Sequence, residues 1–468
     1  MAEPVLFIPG YPASELRTAE KKIFPSLDLG QALLEGPGDL DTDDGVRTGE
    51  PIRAYLSLLI FDLAKQAGSL YRLLDRIGVV HVERFGWDWR RPVWDDAHDW
   101  SVQNRLEVAI RDLRLRTGQP VTLLAHSTGG LIVRHLLERR PDRVLPHVRR
   151  LVALGVPWAG LIRTIHFLQG DDGFVGVVPP RRTQQILARS WAAFDLVPPD
   201  PTHLAQPLVY RRSAGGGRQA VDPLEETGWL NVLPPELRQD ALDRAGEASQ
   251  RLRGRRPTLE LGGRPLDVVN VAGWGYPTQV EAEATGVGPE MRLAAIRSDD
   301  GDGTVPRRSA AWLEGGDGVA VRTYHLPVGY QTTARVHPHA ALWQNPGGHN
   351  LLRHLLAGEP LQPFAYAALD RDDSRENGPP IVRVRLVALN PDGTPAANAR
   401  VRTTDLQGGA QLEEEFDPAN EGRHLMRVPR NLMRVIERQD RYRRFGLEIS
   451  WDETGRRVAV QQKFLFFD

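Results

Sequence analysis

Residues Val121 to Gly129 constrain this chain more than any other stretch. Val121-Thr122-Leu123-Leu124-Ala125 is a short apolar run that reads as a buried strand. His126-Ser127-Thr128-Gly129 follows as a Gly-containing turn, and a helix is expected from about Gly129 to Arg140. A strand that bends this tightly into a helix needs small residues on both sides of the bend, and Ala125 and Gly129 supply them. Such a bend lifts the Ser127 hydroxyl above the sheet, beside the positive end of the helix, where negative charge on a bound ester oxygen is favoured. The bland alternative is a serine that only caps the helix.

The surrounding pattern supports a parallel sheet. Val5 to Ile8 is an apolar run stopped by Pro9-Gly10, and Val79 to Val82 and Leu151 to Leu154 are further strand candidates. Ser101 is placed to cap a helix that carries Leu106, Ile110 and Leu113 on one face and ends by Gly118 and Pro120. This alternation predicts an α/β domain, mostly parallel sheet with helices on both faces. The rhythm breaks between about Leu161 and Arg264, which reads as an insertion of helix and loop. It resumes at Leu266 to Val271 and Val319 to Leu326, and a helix around Leu351 to Leu356 closes the domain.

With 468 residues, two domains are expected, or three if the insertion counts. The first spans 1–370 with a lid or cap at about 161–264. Residues 371–380 are polar and Pro/Gly-containing and read as a linker. Residues 381–468 read as a small all-β, sandwich-like module: Val382, Val384 and Leu386 alternate with Arg383 and Arg385, Asn390 to Gly393 is a turn, and Leu447, Ile449 and Trp451 alternate again before a last strand.

A serine nucleophile needs a base, and the base needs an orienting carboxylate, in the chain order Ser, Asp, His for this arrangement. Asp302, in Gly301-Asp302-Gly303-Thr304-Val305, is the carboxylate candidate. A calcium loop through Asp299, Asp300 and Asp302 is the competing reading, but it lacks the downstream Gly and Glu of an EF-hand. After the Val319 strand, His339 fits the base best, with His337 and His349 as alternatives. The oxyanion hole needs two backbone N–H groups. Thr128 supplies one; Tyr11 is the choice for the other, because Pro12 cannot donate.

Composition removes other chemistries. The chain has no cysteine, which excludes disulfides and thiol catalysis and suits a reducing compartment. A formal net charge of -1 gives no pull toward nucleic acid or anionic membrane, and the cluster Arg251, Arg253, Arg255 and Arg256 reads as solvated surface. The N-terminus lacks the marks of a signal peptide, and no apolar stretch nears the roughly 20 residues of a membrane span. A cytoplasmic location is expected, with export by another route left open. No metal or organic cofactor is implied.

Five segments then carry a family resemblance. They are Phe7 to Leu16 (FIPGYPASEL), Gly86 to Arg90 (GWDWR), His126 to Gly130 (HSTGG), Gly155 to Gly160 (GVPWAG) and Gly301 to Val305 (GDGTV). Together, in this order, they resemble the lecithin:cholesterol acyltransferase-like group, which includes bacterial lipases and lysosomal phospholipase. The resemblance runs from about Val5 to Leu356. It implies an α/β-hydrolase fold with a lid, and hydrolysis or transfer of acyl esters, often from lipids. It carries Ser127, Asp302 and His339 over as the triad. It also likens Trp191 to Pro198 to a lid segment. Trp158, Trp191, Phe194 and Leu196 are then expected to meet the substrate, although the insertion's apolar residues could equally pack it onto the core. Two departures put lid geometry in question: Thr128 stands where the family more often has Met, and the lid disulfide of animal members cannot form. The expected activity is cleavage of lipid-like carboxylic esters through an acyl-enzyme, with transfer to an alcohol as the alternative and transient lipid-surface contact as a consequence. The competing class is a binding protein on a hydrolase scaffold, whose β module contacts a protein partner.

Overall fold

The computed structural model describes residues 3–17, 22–24, 46–51, 61–173, 180–199, 206–328, 339, 342–344, 346–357, 364–370, 381–390, 396, 398–404, 412–417, 423–429, 434–435, 442–453 and 456–467. The elements that matter here are, in chain order, β1 Val5–Ile8, α1 Phe61–Arg76, β2 Val82–Arg84, α2 Val102–Thr117, β3 Val121–His126, α3 Thr128–Arg139, β4 Val148–Leu154, α4 Ile162–Gln169, α5 Pro180–Ala188, α6 Trp191–Asp195, β5 Val209–Arg212, β6 Arg218–Ala220, α7 Pro235–Leu252, β7 Leu266–Trp274, β8 Thr278–Thr285, β9 Arg292–Ser298, β10 Val319–Pro327 and α8 Pro346–Leu356. The C-terminal part adds β11 Phe364–Asp370, β12 Ile381–Leu389, β13 Arg400–Thr404, β14 Glu413–Glu415, β15 Arg423–Pro429, β16 Arg434–Val435, β17 Tyr442–Glu453 and β18 Arg456–Phe467.

The main sheet has six parallel strands in the order β10-β7-β4-β3-β1-β2. Its central strands β1, β3 and β7 are almost wholly buried on both faces, and the two-residue side-chain period sorts them into two layers. Leu6, Ile8, Leu123, Ala125, Leu151 and Val268 pack on one side with Leu106, Ile110 and Leu113 of α2 and Leu131, Ile132 and Leu136 of α3. Val5, Phe7, Leu124, Val152, Val269 and Val271 pack on the other with Leu70, Leu73 and Leu74 of α1 and Leu351, Leu352 and Leu355 of α8. β1 has β2 on one side and β3 on the other, so the strand order reverses between β1 and β3, and the carboxyl ends at such a reversal are where ligands of open α/β sheets bind. This is the α/β-hydrolase fold that the sequence implied.

Two local readings need correction. The second strand is Val82–Arg84 rather than Val79 to Val82, because Gly78 turns the chain with φ 79° and Val79 is spent closing that turn by donating to the Leu74 carbonyl. Ser101 precedes α2 but its side chain caps nothing; its Oγ accepts the His98 N–H at 3.0 Å. Between β7 and the Asp302 turn stands an antiparallel pair, β8 and β9, in a stretch that the sequence pattern left unassigned.

That pair completes the cap. A four-stranded sheet in the order β9-β8-β5-β6 joins residues 209–220 to residues 278–298, so the cap is built from two separate excursions. Its core holds Ile165 and Leu168 of α4, Phe194 of α6, Trp229 in the short turn before α7, Leu237 and Ala241 of α7, Ala282 of β8 and Leu293 of β9. Asp195, at the end of α6, ties the cap to the chain beyond β2: its carboxylate accepts the Val93 N–H at 3.0 Å and the Trp94 indole N–H at 3.3 Å. Burial pushes that carboxyl up to about 6, against the pull of these bonds and of Arg251. Phe194 is fully buried in the cap core. Phe194→Ala is therefore expected to cost about 3–5 kcal/mol of stability, read by urea unfolding; a cost below about 1 kcal/mol would mean the cap closes around the lost ring.

The C-terminal residues form two sheets, β11-β12-β15 and β14-β13-β17-β16 with β18 on the far edge of β17. Val384, Leu386 and Ala388 of β12, Met426 of β15, and Leu447, Ile449 and Trp451 of β17 meet between them, which is a sandwich core. The first sheet takes in β11, whose residues precede 371. The linker at 371–380 lies outside the described residues. The opposite face of β12 presents Val387 and Leu389 to the layer of α1 and α8 under the main sheet. Among the described residues no helix is long and apolar enough to cross a membrane.

Candidate active site

Ser127 sits between β3 and α3 with φ 53° and ψ -131°, a region that side-chain-bearing residues rarely occupy. Its N–H donates to the Leu154 carbonyl at 3.0 Å and its carbonyl accepts the Gly130 N–H at 3.0 Å. Glycines make the bend feasible. A Cβ on Gly129 would come within 2.4 Å of the Ile8 carbonyl oxygen, and one on Gly10 within 2.6 Å of the Ser127 Cβ. The loop after β1 therefore lies directly against the serine, with Tyr11 next in the chain. Thr128 is buried beside it, and its Oγ1 has no hydrogen-bond partner among the described residues.

That loop is braced from below. The buried Trp87 indole donates to the Pro9 carbonyl at 3.0 Å, the Trp89 indole to the Ser14 carbonyl at 3.3 Å, and the Trp87 N–H to the Ser14 Oγ at 3.1 Å. The Tyr11 ring meets Trp89 edge-on, and burial pushes its phenol above the usual range while Ser190 hydrogen-bonds it.

Asp302 is fully buried in a turn pinned by Thr278, whose Oγ1 accepts the Gly303 N–H at 2.8 Å. Its Oδ1 accepts the N–H groups of Thr304 (3.1 Å) and Val305 (2.8 Å), and its Oδ2 lies 2.8 Å from His339 Nδ1. Burial alone would raise this carboxyl; the adjacent His339 charge and hydrogen bond, with the two N–H groups, outweigh it and hold the carboxyl below its ordinary value. The neighbouring Asp300 is engaged with Arg307 at 2.6 Å and Arg423 at 3.5 Å. Asp300 thus meets cationic side chains and Asp302 meets backbone donors and His339.

A carboxylate only accepts, so His339 carries its proton on Nδ1 and keeps the Nε2 lone pair free. Gly155, at the end of β4 with φ 57°, leaves room for the pair: a Cβ there would stand 3.1 Å from both Asp302 Oδ2 and His339 Cε1. His349 lies within α8, and His337 falls outside the described residues. Sequence reasoning missed His126 and Gly155. Both were inside segments already singled out, and the signal for Gly155 was its place at a strand end where only glycine fits.

The residues expected to meet substrate are packed instead. Trp158 is fully buried, with its indole donating to Asn270 Oδ1 at 3.1 Å. Phe194 belongs to the cap core, and Leu196 to the layer of α2 and α3. Trp191 is half-buried under the Arg244 guanidinium, 5.2 Å from the ring centre.

Residues 57–203, which include the Ser127 bend and the first cap helices, match lecithin:cholesterol acyltransferase. The chain resembles the lecithin:cholesterol acyltransferase family. Human lysosomal phospholipase A and acyltransferase is 30% identical over 101 residues, 21% of this chain and 24% of that protein. Lecithin-cholesterol acyltransferase-like 1 of Arabidopsis thaliana is 29% identical over 238 residues, 49% of this chain and 52% of that one. The chain thus spans about a quarter of the length of the lysosomal phospholipases that it matches. Among solved structures, the Tle4-Tli4 complex gives a TM-score of 0.50 at 15% identity, over 76% of this chain and 97% of that one, a likeness of fold.

Proposed function

We propose that the chain is a serine hydrolase that cleaves carboxylic esters of lipid-like substrates through an acyl-enzyme on Ser127. The observation that carries this reading is the 2.8 Å bond between Asp302 and His339, whose backbone meets the ring of His126, the residue before a serine with φ 53°. Such a site has a use for strain that a scaffold does not. In the first half-reaction Ser127 Oγ attacks the ester carbonyl while His339 Nε2 takes its proton. The tetrahedral oxyanion is met by the N–H groups of Thr128 and Tyr11, next to the positive end of α3. Collapse breaks the bond to the alcohol, which leaves with the proton from His339. Water then attacks the acyl-enzyme by the same steps in reverse, and Asp302 supports the imidazolium each time it forms.

Lipid-like substrates are favoured by the likeness to proteins named for phospholipase and acyltransferase activity. Those names also make an alcohol a second acceptor, which would turn the same acyl-enzyme into an acyltransferase. We place the work in the cytoplasm, where a chain without cysteine loses nothing.

A fluorophosphonate probe tests the central claim. Wild type is expected to label at one site, blocked in Ser127→Ala, and to release fatty acid from phospholipid vesicles. Adding a long-chain alcohol and measuring ester product against free acid separates transfer from hydrolysis. Absence of labelling in the folded protein would leave a binding scaffold in place of an enzyme.

A further inference from the structure

We propose that His126 is a positioning residue for His339, holding the backbone of the proposed base by a hydrogen bond from its own ring. This rests on the reading of Ser127, Asp302 and His339 given above. His126 closes β3 one residue before Ser127 and is buried. Its Nε2 lies 3.0 Å from the carbonyl oxygen of His339. A carbonyl only accepts, so His126 carries its proton on Nε2 and donates. The rings of the two histidines stand 4.8 Å apart, tilted by 35°, and the edge of Trp343 closes on His126 at 5.1 Å.

The arrangement fixes the base at two points. Asp302 sets the rotation of the His339 ring through Nδ1, and His126 sets the backbone from which that ring hangs. Because His126 and Ser127 share a peptide bond, the base is thereby referenced to the nucleophile itself: the His339 segment cannot slide relative to Ser127 without stretching this bond. The charge of the ring suits the task. Burial first, and then the charge of the neighbouring His339, hold the His126 imidazole down at about 3, against the hydrogen bond to the His339 carbonyl and the pull of Asp302. His126 therefore stays neutral at working pH and adds no positive charge beside an imidazolium forming on His339. A buried histidine that served packing alone could satisfy its N–H on any acceptor; here the acceptor is the main chain of the base.

The test compares His126→Phe, which keeps the bulk and loses the donor, with His126→Gln, which can return an N–H near the Nε2 position. With a soluble chromogenic ester, His126→Phe is expected to lose about 10- to 100-fold in kcat, the scale of an ångström-sized misplacement, with KM little changed. His126→Gln is expected to regain most of that loss, and fluorophosphonate labelling rates should follow kcat. Equal activity in wild type and a folded His126→Phe would overturn the proposal, as would equal damage from both variants. Should His126→Phe not fold, ring ¹⁵N spectra of the wild-type protein decide: the expected His126 signal is the neutral Nε2–H form, unchanged from pH 8 to below about pH 5. An Nδ1–H form, or an ordinary titration, overturns the hydrogen bond. Failure of wild type to label would count against the hydrolase reading alone, because these ring spectra do not depend on activity.

Discussion

Ser127→Ala is expected to lower ester turnover by about 10⁴-fold or more while leaving the fold intact. The hydroxyl is the only atom removed, and it forms the covalent bond on which both half-reactions depend. The strain at φ 53° is unchanged, since alanine dislikes that backbone about as much as serine does. The circular dichroism spectrum and the melting temperature should therefore match wild type. What activity survives measures the oxyanion donors and substrate binding alone. Near-normal turnover in a folded Ser127→Ala protein would remove the central claim.

Loss of the Asp302–His339 pair is expected to be nearly as severe, because groups that act as one unit cannot be removed piecemeal. Asp302→Asn is the sharper variant. Asparagine can turn its amide N–H toward His339 Nδ1, which places the imidazole proton on Nε2 and leaves no lone pair for the serine. A fall of about 10⁴-fold in kcat at neutral pH follows from the wrong tautomer. His339→Ala should match it, and His337→Ala should be mild. If His337→Ala proves the damaging change, the base has been misassigned, and an active Asp302→Asn enzyme would show that the carboxylate orients nothing. Stability responds as well. Asp302 holds its proton less tightly in the folded chain than in the unfolded one, so its contacts with His339 and the Thr304 and Val305 N–H groups stabilise the fold above the unfolded carboxylate range. That contribution is lost as the pH falls through the folded value.

Much of this site was legible because its chemistry is local. A buried strand, a bend flanked by Ala125 and Gly129, and a helix are consecutive in the chain, so Ser127 could be read from nine residues, Val121 to Gly129. Asp302 was readable because its turn needs glycine on both sides: a Cβ on Gly301 would strike Thr278. The choice among His337, His339 and His349 was not readable, since a loop has no periodicity and only the position of Asp302 in space selects a ring. The apolar residues of the cap were harder still. Phe194 and Leu196 look alike in a sequence whether they face an acyl chain or a neighbouring helix, and the structure gives both to packing. The β8–β9 pair was missed although Val280, Ala282 and Ala284 alternate with Gln279, Glu281 and Glu283. Alanine carries little strand signal, and its burial depends on β5, nearly 70 residues earlier, arriving beside it.

The two-sided strand β12 has a consequence for how the chain comes to life on the ribosome. Val387 and Leu389 share a layer with Phe7, Tyr324 and Leu352, so the main sheet borrows part of its lining from residues made late. While the α/β half is already outside the exit tunnel, that part of the lining is still missing. A newborn chain of this kind must either wait, shielded by a chaperone, or bury the gap against a neighbour. Strand β12 is therefore better regarded as part of the main sheet's lining than as part of an appended passenger.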